Sequence, residues 1–414
     1  MATAVPDGTT GYEAALDVLN SLNTRAEAVR LGDQKARDAM IADCFSLIAK
    51  LETPSETFIR TMWTHLMHPA IWRIASDMKL FEALGTDDSP KTVDQLATTT
   101  ATDPVLTRKV LQNLAAAHVV TEVDVNTFTP TTLSNSLAQQ MWIEALELFV
   151  PFTNLVTVKT PAYLKERNFR MPTDILDTPG QYAHGGKGEW NMQEMIVRNG
   201  HVQGLASLMK VWLDKRPHWS DEKSGFYPVR ERLIKGANDS SEAVFMVDVG
   251  GSRGHDFLRL FSHVSPDEIP GRLIVQDQPP VVASIADGSL PSKVEKMAYD
   301  FFTPQPVQGA RVYFMHNIIH NFPDAEAKSI LKQIVAAMKK GYSKLLLWDM
   351  VLPDKGAGVN ACCLDWVMMT YYASSERTET QWRRLLEDPE LGLKITDIVH
   401  FSQYDQDVIE LEIA

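Results

Sequence analysis

A chain of 414 residues exceeds what one hydrophobic core usually accommodates, so its length implies at least two domains. With 44% hydrophobic and 22% charged residues it reads as a soluble globular protein, and a formal net charge of −13 without a basic stripe argues against a nucleic-acid partner. No leader pattern opens the chain, no stretch is expected to be long and apolar enough to span a membrane, and Cys44, Cys362 and Cys363 form no disulfide framework; together these suggest a cytosolic protein with reduced thiols.

Between Gly11 and Leu51 the spacing of Met40, Cys44, Leu47, Ile48 and Leu51 predicts a helical entry segment closed by Pro54. The next stretch, FIRTMWTHLMHPAIWRIASDMKLFEALG, is apolar around most of its helical circumference and is expected to be buried on more than one side. A short helix, a turn, a second helix from Asp103-Pro104 and the β-like run VVTEVD…TFTPT then give a winged helix-turn-helix pattern. Its second helix carries only Arg108 and Lys109 as cations, too few to read a DNA groove, so a packing or dimerisation module is the expectation. Residues 1–140 form this first region.

From 141 to 239 helical segments rich in Trp, Met and Phe follow, with Met141, Phe149, Trp190, Met192 and Met209 as core residues or as the lining of an adaptable ligand pocket. The glycine-rich turn TPGQYAHGGKGEW between them could hinge one domain against the other. After Asn238-Asp239 the pattern changes to AVFMVDVG, GRLIVQD, VEKMAYD, ARVYFM, SKLLLWDM, LKITDIVHF and DVIELEIA, short β-branched strands alternating with helices. That alternation predicts an α/β, doubly wound, mostly parallel sheet over 240–414.

The first of these strands runs through Asp248 into a turn holding Gly250, Gly251 and Gly254, which presents backbone N–H groups at the carboxyl edge of the sheet. The spacing matches neither G-x-G-x-x-G nor a phosphate loop, so a pyrophosphate is not the expected guest. The second strand ends at Asp277, a carboxylate able to accept two ribose hydroxyls. The third leads to Asp300, Phe301 and Phe302, an acid beside aromatic rings that suits an adenine. Strand-end aspartates also cap helices, but three at one sheet edge favour a nucleoside.

Further on, HNIIHNF carries His316 and His320 four residues apart. A zinc motif of this spacing needs Glu after the first histidine, where this chain has Asn317, so no metal is expected. A catalytic base and a core histidine satisfied by the backbone remain open for both.

Taken in order, LSNSLA, YLKERNFRMPTD, TPGQYA, VDVGGSRGHD, YDFFTPQPVQGARVYF, HNFPDAEA, LLLWDMVLPD and SSERTETQW resemble the S-adenosylmethionine-dependent class I O-methyltransferases of plant and fungal secondary metabolism, over nearly the whole chain. The resemblance implies a Rossmann-like methyltransferase sheet, an N-terminal winged-helix dimerisation domain, a homodimer, and a substrate pocket between the helical segments and the sheet edge. It places His320 as general base, flanked by Asp349 and Glu376, and puts Asp248, Gly250, Gly251, Asp277, Asp300, Phe301, Phe302 and His316 about the cofactor. The substrate would be a hydrophobic phenolic or enolic natural product. Departures are His316 for the family's Lys or Arg, Asn321 for Asp, and Asp349 for Glu, the last one methylene shorter. They leave a second expectation open: a related scaffold that binds the cofactor without transferring its methyl group and promotes a dehydration or pericyclic ring closure.

Overall fold

The computed structural model describes residues 8–213, 217–224, 226–401 and 406–414. These fall into two compact units, one taking the chain up to 168 and again from 179, the other taking 169–178 and the chain from 217 onward. The expected middle region 141–239 is therefore divided between them. Its helices up to 213 belong to the first unit. Residues 217–239 join the second because Trp219, Tyr227 and Leu233 are buried in its core, and because the buried Arg311 donates to the carbonyls of Leu233 and Arg232, both at 3.0 Å. The glycine-rich stretch 178–190 opens at a crossing, Thr178 belonging to the second unit and Gly185, Gly186 and Gly188 to the first.

In the first unit, helices Gly8–Arg30 and Gln34–Leu51 form a hairpin, with Asp33 capping the second through the Ala36 N–H at 3.0 Å. A third helical run starts at a Thr53–Glu56 capping box, passes through a π-helical stretch at Arg60–His65 and continues as Leu66–Asp77. The widened turn lies just ahead of Pro69, which has no N–H to return to residue 65. The expected burial on more than one side is met only in the second half of that stretch, where Ala75, Leu80, Phe81, Ala83 and Leu84 are buried. Phe58, Ile59, Met62, Trp63, Leu66 and Met67 are exposed, because the apolar core of this unit begins only at Ala75 and no other described part of the chain covers them.

That core gathers Leu80, Phe81, Leu84, Leu96, Leu111, Leu114 and Phe128. Helix Pro104–Ala116 begins where the sequence placed it, capped by Asp103. Strands β1 (Lys91–Thr92), β2 (Thr121–Asp124) and β3 (Thr127–Thr129) pair antiparallel in the order β1-β3-β2 beside it.

One helical run, Gln140–Glu166, is long and apolar enough by length and composition to cross a membrane, against the expectation that no stretch would be. Three shorter pieces fuse through a π-helical turn at Phe149–Thr153, which is what gives it the length. Its buried residues Ala145, Leu148, Phe152, Val156, Thr160 and Tyr163 recur every three or four positions, a one-sided stripe that packs within the unit.

The second unit holds all seven expected strands: β4 (Val244–Val249), β5 (Arg272–Asp277), β6 (Val294–Ala298), β7 (Val312–His316), β8 (Lys344–Asp349), β9 (Leu393–Val399) and β10 (Asp407–Ile413). Their order is β6-β5-β4-β7-β8-β10-β9. The first five are mutually parallel, and β10 runs antiparallel to both neighbours. β4, β7 and β8 are almost continuously apolar, as strands covered on both faces must be. Strand order reverses between β4 and β7, so the chain leaves these neighbours in opposite directions and opens a crevice at their carboxyl ends.

Candidate active site

At that crevice Gly250 and Gly251 follow β4 and donate to the Gln276 carbonyl at 2.8 and 3.0 Å, folding the turn back over β5. Gly250 and Gly254 have φ of 77° and 75°, the left-handed region that favours glycine. A Cβ at Gly251 would collide with the Asp248 carboxylate. That carboxylate is buried, and neither oxygen has a hydrogen-bond partner among the described residues. Burial, then the charges of Asp256 and Asp277, push its pKa well above the usual carboxylate range.

Asp277 ends β5 and accepts the N–H groups of Ser252 at 2.8 Å and Gln278 at 2.7 Å. Burial raises its pKa against the pull of these two bonds. Asp300, two residues past β6, is exposed and accepts the Phe302 N–H at 3.0 Å. Phe301 and Phe302 meet Phe322 edge-on at 5.7 and 5.5 Å. The predicted cofactor residues thus assemble at one edge, with their carboxylates gathered where a cationic group would be favoured.

His316 ends β7 and is differently engaged. Its Nδ1 lies 2.9 Å from Asp256 Oδ2 and its Nε2 3.0 Å from Gln406 Oε1, so both ring nitrogens are taken up within the protein. Asp256 Oδ1 in turn lies 3.4 Å from Nε2 of the buried His218, whose Nδ1 is 2.6 Å from Ser220 Oγ. Burial lowers the His218 pKa to about 4 despite Asp256. Burial opposes ionisation of Asp256, but His316 and His218 outweigh it and hold the carboxylate ionised.

His320 sits in a single 3-10 turn, Ile319–Asn321, just beyond β7. Its Nδ1 is 2.8 Å from Glu376 Oε1 and 4.0 Å from Asp349 Oδ1, so the first carboxylate hydrogen-bonds the ring and the second acts through space. A carboxylate partner means Nδ1 carries the proton and donates. Nε2 makes no hydrogen bond to the described residues. Burial alone would lower the His320 pKa, but the charge and hydrogen bond of Glu376 and the charge of Asp349 hold it up at about 9. Asp349 is wholly buried with neither oxygen hydrogen-bonded to a described residue, and burial pushes its pKa up to about 7. The shorter side chain thus stops 4.0 Å from the ring nitrogen, beyond hydrogen-bond reach.

Glu376 is itself positioned: its N–H donates to Asp365 Oδ1 at 2.9 Å, and the next residue but one, Thr378, bridges to Leu352 just past β8. Arg377, Asp256, His218 and Asp365 were not singled out in the sequence. Asp256 stands within the GSRGHD turn and Arg377 beside Glu376, but their partners lie tens of residues away. The five apolar residues expected around a substrate all belong to the first unit: Met192 is buried there, Phe149 and Met209 are exposed, Met141 is half-buried, and Trp190 packs over Gly186 and under the Arg198 guanidinium at 4.3 Å. Among the described residues no group of three or more His, Cys, Asp or Glu is placed to hold a metal ion.

Comparison with known proteins adds three findings. The O-methyltransferase domain family matches residues 229–390. The O-methyltransferase mpaG of Penicillium brevicompactum is 34% identical over 401 residues, 96% of this chain and 98% of that protein. Two solved structures, one described as a pericyclic reaction enzyme and one as LepI in complex with S-adenosylmethionine, superpose with TM-scores of 0.83 and 0.84 at 27% identity, covering 97% and 96% of this chain and all of theirs.

Proposed function

The chain belongs to the S-adenosylmethionine-dependent O-methyltransferases of fungal secondary metabolism, and from that membership we propose that it methylates a hydroxyl of a hydrophobic phenolic or enolic natural product, with His320 as general base. The cofactor is S-adenosylmethionine, and the sheet edge fits it. The buried Asp248 carboxylate, without a partner among the described residues, and a turn at Gly251 that has no room for a side chain, suit a cationic guest drawn close to the backbone. Asp248, Gly250, Gly251, Asp277, Asp300, Phe301 and Phe302 would hold it. When bound it supplies a methyl group on a sulfonium, already electrophilic.

The protein's own task is then to orient a hydroxyl and take its proton. The observation that carries the reading is the His320–Glu376 hydrogen bond at 2.8 Å with Nε2 left free. An ordinary imidazole, with a pKa near 6.5, is a weak acceptor for a phenol proton of pKa about 10. Glu376 and Asp349 bring His320 to about 9, so transfer becomes nearly balanced, and the two acids stabilise the imidazolium that forms. The same shift leaves only about one hundredth of His320 neutral at pH 7, so turnover should rise with pH toward 9.

A second reading rests on that protonated state and on the likeness to a pericyclic reaction enzyme. Here the His320 imidazolium donates to a substrate carbonyl and promotes dehydration or ring closure without methyl transfer. Its rate would fall as pH rises through about 9. Incubation with isotope-labelled methyl donor and a panel of phenolic and enolic acceptors separates the two. Labelled product and a rate rising with pH support methyl transfer; converted but unlabelled substrate and the opposite profile overturn it.

We further propose that the region up to residue 140 holds a winged-helix module and dimerises the chain. Support comes from the exposed apolar run Phe58–Met67 and from the exposed Phe45, Ile48 and Leu51 on the helical hairpin. Sedimentation at twice 46.3 kDa is the expected result, and a monomer at micromolar concentration would contradict it.

A further inference from the structure

Arg377 is only 2% exposed, although arginine is rarely buried without a task. Its Nη1 donates to the Ile319 carbonyl at 3.2 Å and its Nη2 to the Phe322 carbonyl at 2.7 Å, on either side of the turn that carries His320. Nη2 and Nε also reach Asp324 Oδ1 at 2.9 and 3.0 Å, where the chain enters helix Asp324–Ala337, and the guanidinium stacks 5.1 Å over Trp382. Its own carbonyl accepts the Leu352 N–H at 3.0 Å, tying it to the exit of β8 three residues after Asp349.

We infer that Arg377 is a positioning residue that fixes the His320 turn through its two carbonyls and moderates the basicity of the imidazole. Glu376 and Arg377, adjacent in sequence, thereby hold the ring of His320 and the backbone on either side of it. The inference rests on the reading of His320 as the reacting histidine.

Glu376 and Asp349 are the two carboxylates beside the His320 ring, and Arg377 is the cation that opposes them. From helix Val359–Tyr372 come Asp365, which accepts the Glu376 N–H, and the phenols Tyr371 and Tyr372, with Cys362 and Cys363 exposed on the same helix. On the outer side Asp324 pairs with Arg377 and lies 3.9 Å from Arg384, with Glu326 in the same helical turn; His316 acts on Asp349 from a distance. With His320 protonated and both carboxylates ionised, Arg377 makes the inner set neutral. Removing that cation leaves an excess negative charge, which favours the imidazolium and lowers the fraction of free base. A lysine would keep the charge but could not fork between two carbonyls and a carboxylate.

The test uses full-length protein and two variants. With carbon-13-labelled histidine, the His320 pKa is read by NMR titration without substrate, and methyl transfer is followed in parallel. Arg377→Gln should raise the His320 pKa by about one unit and lower turnover at pH 7.5 about tenfold, with S-adenosylmethionine affinity within about twofold. Arg377→Lys should leave the pKa near its wild-type value yet lower turnover about tenfold, because the turn is no longer clamped. An unchanged pKa in Arg377→Gln, or wild-type turnover in Arg377→Lys, overturns the inference. Should the Gln variant fail to fold, the Lys variant decides. Absence of methyl transfer by the wild type would refute the reading of the site, and the titration would then decide Arg377 alone.

Discussion

His316 and Trp348 face each other across the parallel pair β7–β8 and stack with ring centroids 4.0 Å apart and planes 22° from parallel. With both nitrogens also engaged, His316 is fixed on its face and at its edge. His316→Ala should cost about 2–4 kcal/mol of stability, since it opens a cavity and deprives the half-buried Asp256 of its main partner. Urea denaturation measures this. S-adenosylmethionine affinity should change much less, and a loss of binding with unchanged stability would show that His316 touches the cofactor instead.

Glu376→Gln keeps the size of the side chain and removes its charge. The His320 pKa should fall from about 9, and turnover should drop by ~10²- to 10⁴-fold with little effect on S-adenosylmethionine binding. Steady-state kinetics with calorimetric titration of the cofactor checks both halves.

Asp349→Asn should act more gently. It removes a charge 4.0 Å from His320 but no hydrogen bond. The midpoint of the pH–rate profile should move to lower pH, with a smaller loss of turnover than in Glu376→Gln. Equal losses in the two variants would mean that the 4.0 Å gap closes in the working enzyme.

Gly251→Ala places a methyl group against the Asp248 carboxylate. The turn must shift to admit it, so S-adenosylmethionine affinity should fall at least ~10-fold, readable by calorimetry. Wild-type affinity would remove this turn from the cofactor site.

The histidine also predicts a pH dependence of folding. Its folded pKa of about 9 lies above the unfolded value near 6.5, so its contribution is fully present below about pH 6.5 and is lost as pH rises through about 9. Asp349, pushed up to about 7 from an ordinary 3.8, acts in the same direction at lower pH, its contribution being lost between about pH 4 and 7. The denaturation midpoint should therefore fall between pH 6.5 and 9, and His320→Asn should flatten that fall.

The sheet was readable because each strand carries its own record: apolar runs such as VYFM and LLLW, cut by histidine or aspartate at the carboxyl edge. The glycine turn and the strand-end aspartates belong to those same local strings. The Arg377 clamp and the Asp256–His218 contact depend instead on pairings across 55 and 38 residues, which no periodicity encodes. Nor could a spacing rule tell that Phe58 and Trp63 lie uncovered, since an apolar helical face looks alike whether its own chain or another covers it.

The excursion of residues 169–178 into the second unit has a consequence for how the protein is made. A ribosome delivers that short segment some forty residues before the rest of its unit begins to emerge, and delivers the end of the first unit only after it. The early chain must leave ten residues waiting while helix Val202–Leu213 completes its own partners. Neither unit corresponds to one uninterrupted stretch of message, so no single cut yields either as a separate piece, and gene fragments ending anywhere between 169 and 213 should give products with an unfinished core.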